Sequence, residues 1–376
     1  MPVGQPKNLF VALRDAPERR AALKAPEDSA DRYRLYGIDQ LSARGVAIRH
    51  NLERSAPAPM WARAADAAIN RVLYGLGGYG GDFASVLASL RVANDADVVL
   101  ATVDTVGLPL ALLGQAGLLR APFVYTSIGL PERLVQLRGK RMRGLYRSAL
   151  RRAAAILAYS EHEAKWLRDW LGPDGPDVVF LPFAVDVHAF RPDVTHEPET
   201  DVVSVGADPR RDFELLVDVA SRHPDLSFRI VASSERARAL ATLPTNVELE
   251  VDLSLDEARG RMADARVVAL PVRDNSYSGA TTVLLQAMAL GKPVVVSRTA
   301  AIASGYELED GINCRLVDPG DVDAFERAIL ETLTGADAAR ALGTRARQTV
   351  ERSFSWERYT DALWQVLSGV KPSPSG

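Results

Sequence analysis

Apolar residues along the chain fall into two kinds of segment. Short runs rich in β-branched residues are typical of strands buried on both faces of a parallel sheet. Longer segments carry apolar residues at every third or fourth position, which predicts helices with one buried face, and one such helix is predicted over residues 33–44, ending at Gly45. In the first half, the short runs predict strands at residues 9–13, 46–49, 98–102, 122–125, 155–158 and 178–181.

The same alternation begins again near residue 202. Here the short runs predict strands at residues 202–205, 227–232, 247–250, 267–270, 294–297 and 314–317. Strands that are separated by helices imply parallel, doubly wound sheets. The chain is therefore predicted to be α/β, with two such sheets.

A polar segment separates the two halves. Residues 190–200 contain two prolines and show no hydrophobic periodicity, which is typical of a linker. The predicted organisation is a first domain over residues 1–190, a linker over 191–200 and a second domain over 201–354. A final helix is predicted over residues 355–370, with Ser355 as its N-cap.

The composition narrows the class of protein. Among the 376 residues, 47% are hydrophobic and 25% are charged, which are average values for soluble globular proteins. No apolar run reaches the roughly 18 residues of a membrane span, and the N-terminal segment lacks the features of a signal peptide, so a cytoplasmic location is expected. The single Cys314 and five scattered histidines argue against a disulfide or a zinc site.

Charge is distributed unevenly between the two halves. Residues 1–190 contain 24 lysines and arginines and 19 aspartates and glutamates, a net charge of 24 − 19 = +5. The rest of the chain contains 21 and 29, a net charge of 21 − 29 = −8. This balance is far from that of a nucleic-acid binder, and no nucleic acid is expected as a partner. The basic amphipathic stretch from Arg138 to Arg152 suits an anionic membrane, such as the inner face of the cell membrane, or a phosphorylated acceptor. An ordinary solvated helix is the alternative.

The most informative chemistry lies within residues 266–297, which read as strand, glycine-bearing loop, helix and strand. The small-residue loop Ser278-Gly279-Ala280-Thr281-Thr282 opens the helix. Backbone N–H groups at a helix start lack partners within the helix, and the positive end of the helix dipole attracts anions. The segment therefore predicts an anion site, for which phosphate is the natural ligand.

The same segment also carries a family resemblance. GATTVLLQAMALGKPVVVS resembles the donor-binding segment of retaining glycosyltransferases of family four, known as glycosyl transferases group 1. Gly206 followed by Arg210 and Arg211 is similar to that family's glycine strand end with a basic residue after it. The resemblance implies the GT-B fold, in which two Rossmann-like doubly wound domains face a cleft, with the acceptor bound by the first domain and the donor by the second.

The resemblance also implies an activity. A hexose would move from a nucleotide diphosphate sugar to an acceptor hydroxyl, with retention of anomeric configuration, no obligatory metal and no cofactor. The backbone amides of Gly279, Ala280, Thr281 and Thr282 would face the diphosphate. Gly206, Arg210 and Arg211 would belong to the same donor site, where Arg210 or Arg211 would supply a cation for the diphosphate, with Arg211 as the candidate catalytic residue. An exposed pair at a helix start is the alternative for the two arginines. The acceptor, whether a small molecule, a glycan or a lipid-linked sugar, is not specified.

Two family glutamates are replaced in the donor segment. Ser278 stands at the first position and could contact the donor sugar or cap the helix. Gln286 stands at the second position, where it could bind the ribose through a neutral hydrogen bond or simply occupy a buried helix face.

A third replacement lies in the first half, where Ile128 takes the place of the family's histidine. Asp104 is the nearest acidic substitute and could accept the proton of the acceptor. A helix N-cap or an exposed loop residue is the alternative for Asp104. Because of these replacements, a non-catalytic nucleotide-sugar-binding or partner protein and a sugar nucleotide 2-epimerase remain as alternative functions.

Two Asp-x-Asp sequences resemble the metal motif of other glycosyltransferases. They are Asp95-Ala-Asp97, which leads into a predicted strand, and Asp321-Val-Asp323, which starts a predicted helix. Both are interpreted as structural, and no metal site is predicted.

Overall fold

The computed structural model describes residues 5–27, 29–192, 197–240, 242–277 and 279–371. The described residues form two compact units, the first containing residues up to 181 and those from 360 onward, and the second containing residues 182–359. The predicted linker over 191–200 falls within the second unit, and its residues 193–196 lie outside the described residues.

The first unit contains a six-stranded sheet in the order β2-β1-β3-β4-β5-β6, in which every neighbouring pair is parallel. Its strands are β1 (Asn8–Ala12), β2 (Ala47–His50), β3 (Val98–Ala101), β4 (Phe123–Ser127), β5 (Ala155–Ala158) and β6 (Asp177–Phe180). Its helices are α1 (Pro17–Lys24), α2 (Ile38–Ala43), α3 (Met60–Gly75), α4 (Phe83–Asn94), α5 (Asp104–Gln115), α6 (Leu130–Val135), α7 (Gly139–Leu150) and α8 (Glu161–Leu171), with 3-10 helices at Ala30–Leu35 and Asn51–Glu53.

The second unit contains a six-stranded parallel sheet in the order β12-β11-β10-β7-β8-β9. Its strands are β7 (Thr200–Gly206), β8 (Phe228–Ala232), β9 (Val247–Val251), β10 (Ala265–Leu270), β11 (Val294–Ser297) and β12 (Arg315–Val317). Its helices are α9 (Phe213–Arg222), α10 (Ser234–Ala237), α11 (Leu255–Ala263), α12 (Thr281–Ala289), α13 (Ala300–Ala303), α14 (Val322–Thr334) and α15 (Ala336–Ser353).

The last helix, α16 (Trp356–Gly369), includes the point at which the two units divide. Ser355 Oγ accepts a hydrogen bond from Arg358 N at 3.5 Å, as an N-cap does. Further along, Asp361 forms an ion pair with Arg44 of the first unit. The part of α16 from residue 360 therefore packs with the first unit.

The sheets form because their strands are apolar on both faces. All residues of β3, β4 and β5 are buried, and so are most residues of β7 and β10. Complete burial of one such aliphatic or aromatic side chain stabilises the folded state by about 1.5–3 kcal/mol. Helices cover both faces of a sheet of this kind, so the loops at the carboxyl ends of its strands are left to build sites.

The predicted α/β fold with two doubly wound sheets is confirmed, and a strand is present at every predicted position, with ends that differ by at most two residues. The predicted helix over 33–44 is present only as α2, over residues 38–43, and a 3-10 helix ends at Leu35. Between them the chain turns at Tyr36 and Gly37, which have positive φ angles of 56° and 86°. Gly37 is required there, because a Cβ atom would lie 2.9 Å from Thr360 Cγ2 in addition to the unfavourable φ.

Candidate functional site

In each sheet, the chain adds strands first on one side of the first strand and then on its other side. The position between the two groups of strands is the topological switch point. In the second unit, β7 is bonded to β8 on one side and to β10 on the other. Ligands of doubly wound folds bind beyond the carboxyl ends of the strands at such a switch point. The loops that follow β7 and β10 meet there, since Asp212 N donates to Pro271 O at 3.0 Å and Arg273 N donates to Arg210 O at 2.8 Å.

Arg211 lies in this pair of loops with its guanidinium group buried. Only 1% of the residue is exposed, and Nε and Nη1 have no hydrogen-bond acceptor among the described residues. Burial lowers the pKa of Arg211 to about 10, against the opposing effect of Asp208 and Tyr277. The group is still a cation at neutral pH, and a buried cation without acceptors is costly unless a ligand supplies them.

Gly206 makes room for this guanidinium group. It is the last residue of β7, and a Cβ atom on it would overlap Arg211 Nε. Glycine is therefore needed at this strand end for close approach of the Arg211 side chain. Arg210 is different, because it is half-buried and its backbone N donates to Asp208 Oδ1 at 2.7 Å. Of the two predicted arginines, Arg211 is therefore the one whose guanidinium group is buried beside Gly206, at the end of β7.

Asp208 connects the two loops. Its carboxylate accepts from the Tyr277 hydroxyl at 2.7 and 2.6 Å. Asn275 shapes the second loop, since its Nδ2 donates to Arg273 O at 2.7 Å and its Oδ1 accepts from Tyr277 N at 3.1 Å. Gly279 fits beside this pair only without a side chain, because a Cβ atom would lie 2.5 Å from Asp208 Oδ2.

The start of α12 follows directly. Ala280 is its N-cap residue and has no side chain that could cap the helix. The side chain of Thr281 is buried, and its Oγ1 has no hydrogen-bond partner among the described residues. Thr282 is half-buried. This helix start thus combines the positive end of the helix dipole with a buried hydroxyl that is available as a donor.

Two predicted site residues are less informative. Gln286 lies on α12 beyond its first turn and is 5% exposed, so it occupies the buried face of the helix. Ser278 lies outside the described residues. Their predicted contacts with ribose and sugar stay predictions.

In the first unit, the predicted acid Asp104 is the first residue of α5 and is 3% exposed, so it is not an exposed loop residue. Its Oδ1 accepts from the Tyr125 hydroxyl at 2.7 Å and from Ile128 N at 3.2 Å. Its Oδ2 lies 3.8 Å from Arg133 Nε and has no hydrogen-bond partner among the described residues. Burial raises the pKa of Asp104 to about 6, although the bond from Tyr125 opposes the shift.

A second buried acid holds the same turn and was not predicted. Glu163 Oε1 accepts from Ser127 Oγ at 2.6 Å and from Gly129 N at 3.0 Å. Burial raises the pKa of Glu163 to about 8. The sequence did contain a signal, because Ser160 and Glu163 have capping-box spacing. Ser160 Oγ does accept from Glu163 N at 3.0 Å, but the glutamate side chain reaches Ser127 instead of the helix start.

The two Asp-x-Asp sequences have structural hydrogen bonds. Asp97 Oδ2 accepts from Lys7 N at 2.7 Å and from Asn8 N at 2.9 Å, and Asp321 caps α14 by accepting from Ala324 N at 2.9 Å. In the described part of the chain, no group of three or more His, Cys, Asp or Glu residues could hold a metal ion.

The basic stretch forms α7, which buries Met142, Tyr146, Ala149 and Leu150 and leaves its lysine and arginines exposed. No helix within the described ranges has the length and apolar character needed to cross a membrane.

The fold and the site can now be set against known proteins. The structure is similar to sucrose-phosphate synthase from Thermosynechococcus elongatus, with a TM-score of 0.73 and 17% identity over 96% of this chain and 98% of the other. It is also similar to Anabaena HepE in complex with UDP-glucose, with a TM-score of 0.66 and 16% identity over 97% of this chain and all of the other. These likenesses establish the fold, which is that of the GT-B glycosyltransferases.

The sequence of the second unit matches a family model. Residues 187–335 match the model of glycosyl transferases group 1, the family that the sequence resembles.

Curated relatives agree with this assignment. The chain is 28% identical over 163 residues to the lipopolysaccharide core biosynthesis glycosyltransferase LpsE of Rhizobium meliloti, covering 42% of this chain and 46% of that protein. It is 26% identical over 217 residues to a GDP-mannose-dependent phosphatidylinositol monomannoside mannosyltransferase of Corynebacterium glutamicum, covering 51% of this chain and 56% of that protein. The chain thus matches about half the length of these relatives.

Proposed function

We propose that this protein is a glycosyltransferase that moves a hexose from a nucleotide diphosphate sugar to an acceptor hydroxyl, with retention of configuration and without an obligatory metal. The observation that carries the proposal is the buried guanidinium group of Arg211, two of whose nitrogens lack acceptors at the switch point of the second sheet. A diphosphate supplies the missing acceptors and the negative charge.

The proposed chemistry follows from where charge develops. As the bond between the anomeric carbon and the diphosphate oxygen breaks, the leaving diphosphate gains charge. Arg211, Thr281 Oγ1 and the amides at the start of α12 would stabilise that charge in a site already arranged for it. The acceptor oxygen forms its bond to the anomeric carbon on the same face, and its proton passes to the departing phosphate oxygen. No protein nucleophile is needed in this sequence of bonds.

The relatives support the class of donor without choosing the base or the sugar. One is named as GDP-mannose-dependent, and one structural neighbour contains UDP-glucose. Gln286 would contact the ribose through neutral hydrogen bonds, which are weaker than those of a carboxylate. Arg210 and Gly206 would complete the donor site around Arg211.

The first unit would bind the acceptor, which would be a small molecule, a glycan or a lipid-linked sugar. Within this proposal, Asp104 positions the turn that carries Ile128, because its Oδ1 is bonded to that turn and the residue is buried. We further propose that the stretch from Arg138 to Arg152 contacts an anionic membrane surface, since its cations are exposed along α7.

The first test is a thermal-shift screen of the full chain with UDP, GDP, ADP and dTDP sugars. A donor at about 100 times its dissociation constant stabilises the folded state by roughly 2.7 kcal/mol. The donor found in this way is then assayed for release of the nucleoside diphosphate, with and without EDTA. We expect a positive shift and turnover that EDTA does not change. Absence of any shift with all four nucleotide classes would refute the proposal.

A non-catalytic nucleotide-sugar-binding protein is the second candidate, favoured by Gln286 and Ile128 in place of two charged or titratable family residues. It predicts the same thermal shift but no release of nucleoside diphosphate with any acceptor. Mass spectrometry of the donor after long incubation separates the two candidates, because only an enzyme converts it.

A further inference from the structure

Helix α3 exposes apolar side chains that helices normally bury. Only Ala62 and Leu73 of this 16-residue helix are buried. Large apolar residues at its two ends and just after it are instead more than half exposed: Met60 (77%), Trp61 (59%), Val72 (58%), Tyr74 (58%) and Leu76 (61%). Exposed side chains of this size at both ends of one helix give it an apolar character, which we take as the mark of an interaction surface.

The charged side chains exposed on α3 are both positive. They are Arg63 and Arg71. The single acid of the helix, Asp66, is half-buried, and its Oδ1 accepts from Phe83 N at 2.8 Å and from Asn70 Nδ2 at 3.1 Å. That carboxylate is therefore engaged with α4 and does not offset the exposed arginines.

The end of α3 lies against the start of α7. Arg138 N donates to Gly77 O at 3.0 Å, and a Cβ atom on Gly77 would overlap the Arg138 side chain. Helix α7 contains no acidic residue. Exposed cations continue along it from this contact: Arg138, Lys140, Arg141, Arg143 and Arg147. We call the exposed residues of α3, Leu76 and these cations the α3–α7 surface.

We propose that the α3–α7 surface docks the first unit on an anionic lipid bilayer. The apolar side chains would enter the headgroup region, where tryptophan and tyrosine are favoured, and the cations would contact lipid phosphates. A second copy of the chain is a poor occupant, because it would bring the same positive charges together. The proposal deepens and rests on the membrane contact proposed above for the stretch from Arg138 to Arg152, and it adds α3 as the apolar part of the contact.

The test is co-sedimentation of the full chain with vesicles of phosphatidylcholine alone and with vesicles that also contain phosphatidylglycerol, whose anionic surface attracts basic segments. We expect binding to the anionic vesicles only, weakening as salt is raised. Trp61→Ser combined with Leu76→Ser should weaken this binding about tenfold, because it removes two apolar side chains from the bilayer. Arg141→Glu combined with Arg143→Glu should weaken it by at least as much.

Matched controls come from the same unit. Leu118 is half exposed, and Lys165 is exposed on α8 with Asp169 at 3.0 Å, so Leu118→Ser and Lys165→Glu change similar side chains outside the surface. Both should bind vesicles like the unchanged chain. Equal binding to both vesicle types, no binding, or no difference between surface and control variants would overturn the proposal. Dimerisation in light scattering that the Trp61→Ser, Leu76→Ser variant abolishes would assign the face to a second copy.

The nucleotide-sugar thermal shift of every variant is measured alongside. A chain that binds donor but not vesicles refutes this inference and leaves the glycosyltransferase proposal standing. A chain that binds vesicles but no donor supports this inference and refutes the glycosyltransferase proposal.

Discussion

The two units bury ionisable side chains of opposite type, acids in the first and an arginine in the second, near the carboxyl ends of their strands. In the first unit, Asp104 follows β3, and its Oδ1 receives two hydrogen bonds from the protein. Glu163 Oε1 likewise receives bonds from Ser127 and Gly129. The second oxygen of each acid has no partner among the described residues, but burial raises the pKa of both acids, so protonation can neutralise them. In the second unit, Arg211 follows β7, and its Nε and Nη1 have no acceptor among the described residues.

The presence or absence of hydrogen-bond partners distinguishes a buried group that stabilises the fold from a buried group that is suited to bind a ligand. A buried acid with donors supplied by its own turn stabilises that turn. A buried cation without acceptors raises the free energy of the unliganded protein, and a bound anion would relieve that cost. The carboxyl ends of two similar sheets therefore carry buried ionisable groups of both kinds, and Arg211 is the one that points to an anion-binding site.

The largest effect on donor binding is expected from the Arg211→Met substitution. Loss of one partner from a buried charge pair costs about 2–5 kcal/mol of binding, so we expect donor binding to weaken about a hundredfold or more. The unliganded protein should melt a few degrees higher, because a costly buried cation is removed. Isothermal titration with the donor and thermal melting without it measure the two effects.

A paired arginine provides the control for this prediction. Arg229 on β8 is also mostly buried, but it has Glu248 at 2.7 Å. The Arg229→Met variant should keep its donor affinity and should melt at the same or a lower temperature. If Arg211→Met lowers the melting temperature and leaves donor binding intact, Arg211 is structural and the contrast between the units disappears.

The next effect is expected from Gly206→Ala. The added methyl group would overlap Arg211 Nε and displace the guanidinium group, so donor affinity should fall about tenfold, since a shifted cation retains only part of its charge-assisted bonds. Gly260→Ala on α11 is the matched control, because a Cβ atom there meets nothing within 4 Å. Equal donor affinity in the two variants would show that close approach at Gly206 does not matter for binding.

The smallest effect concerns the pH dependence of stability in the first unit. Burial raises the pKa of Asp104 to about 6 and that of Glu163 to about 8. Raised carboxyl pKa values favour the protonated native state, so their contribution is fully present below about pH 4 and is lost as the pH rises through 6 and 8. Urea midpoints should therefore fall between pH 5 and pH 8.

Glu163→Gln should flatten the upper part of this fall, because the amide does not titrate. Glu161→Gln changes a half-exposed acid on the same helix and should leave the pH profile unaltered. A midpoint that rises from pH 5 to pH 8 in the unchanged chain would contradict the proposed effect of burial on both acids.

The sequence by itself was enough to predict the strands, and it selected the loops where the structure places a buried cation and the start of α12. Apolar β-branched runs predict buried parallel strands because burial is a property of the local pattern. Gly206, Arg211 and the small-residue loop from Gly279 to Thr282 could be selected from spacing and family resemblance. The turn at Gly37 was not predicted, and the contact that excludes a side chain there comes from Thr360, far along the chain.

Only the tertiary structure decided which polar groups have partners. Arg210 and Arg211 are neighbours in sequence, yet the contact between the loops after β7 and β10 buries Arg211 under Gly206. Asp208 and Tyr277 are 69 residues apart in sequence, and Asp104 and Tyr125 are 21 residues apart. No local sequence pattern indicates that either pair forms a hydrogen bond. Hydrogen bonds between distant segments depend on how strands are ordered in the sheet. This order brought Tyr125 to Asp104 and Ser127 to Glu163, and it left Arg211 Nε and Nη1 without acceptors among the described residues.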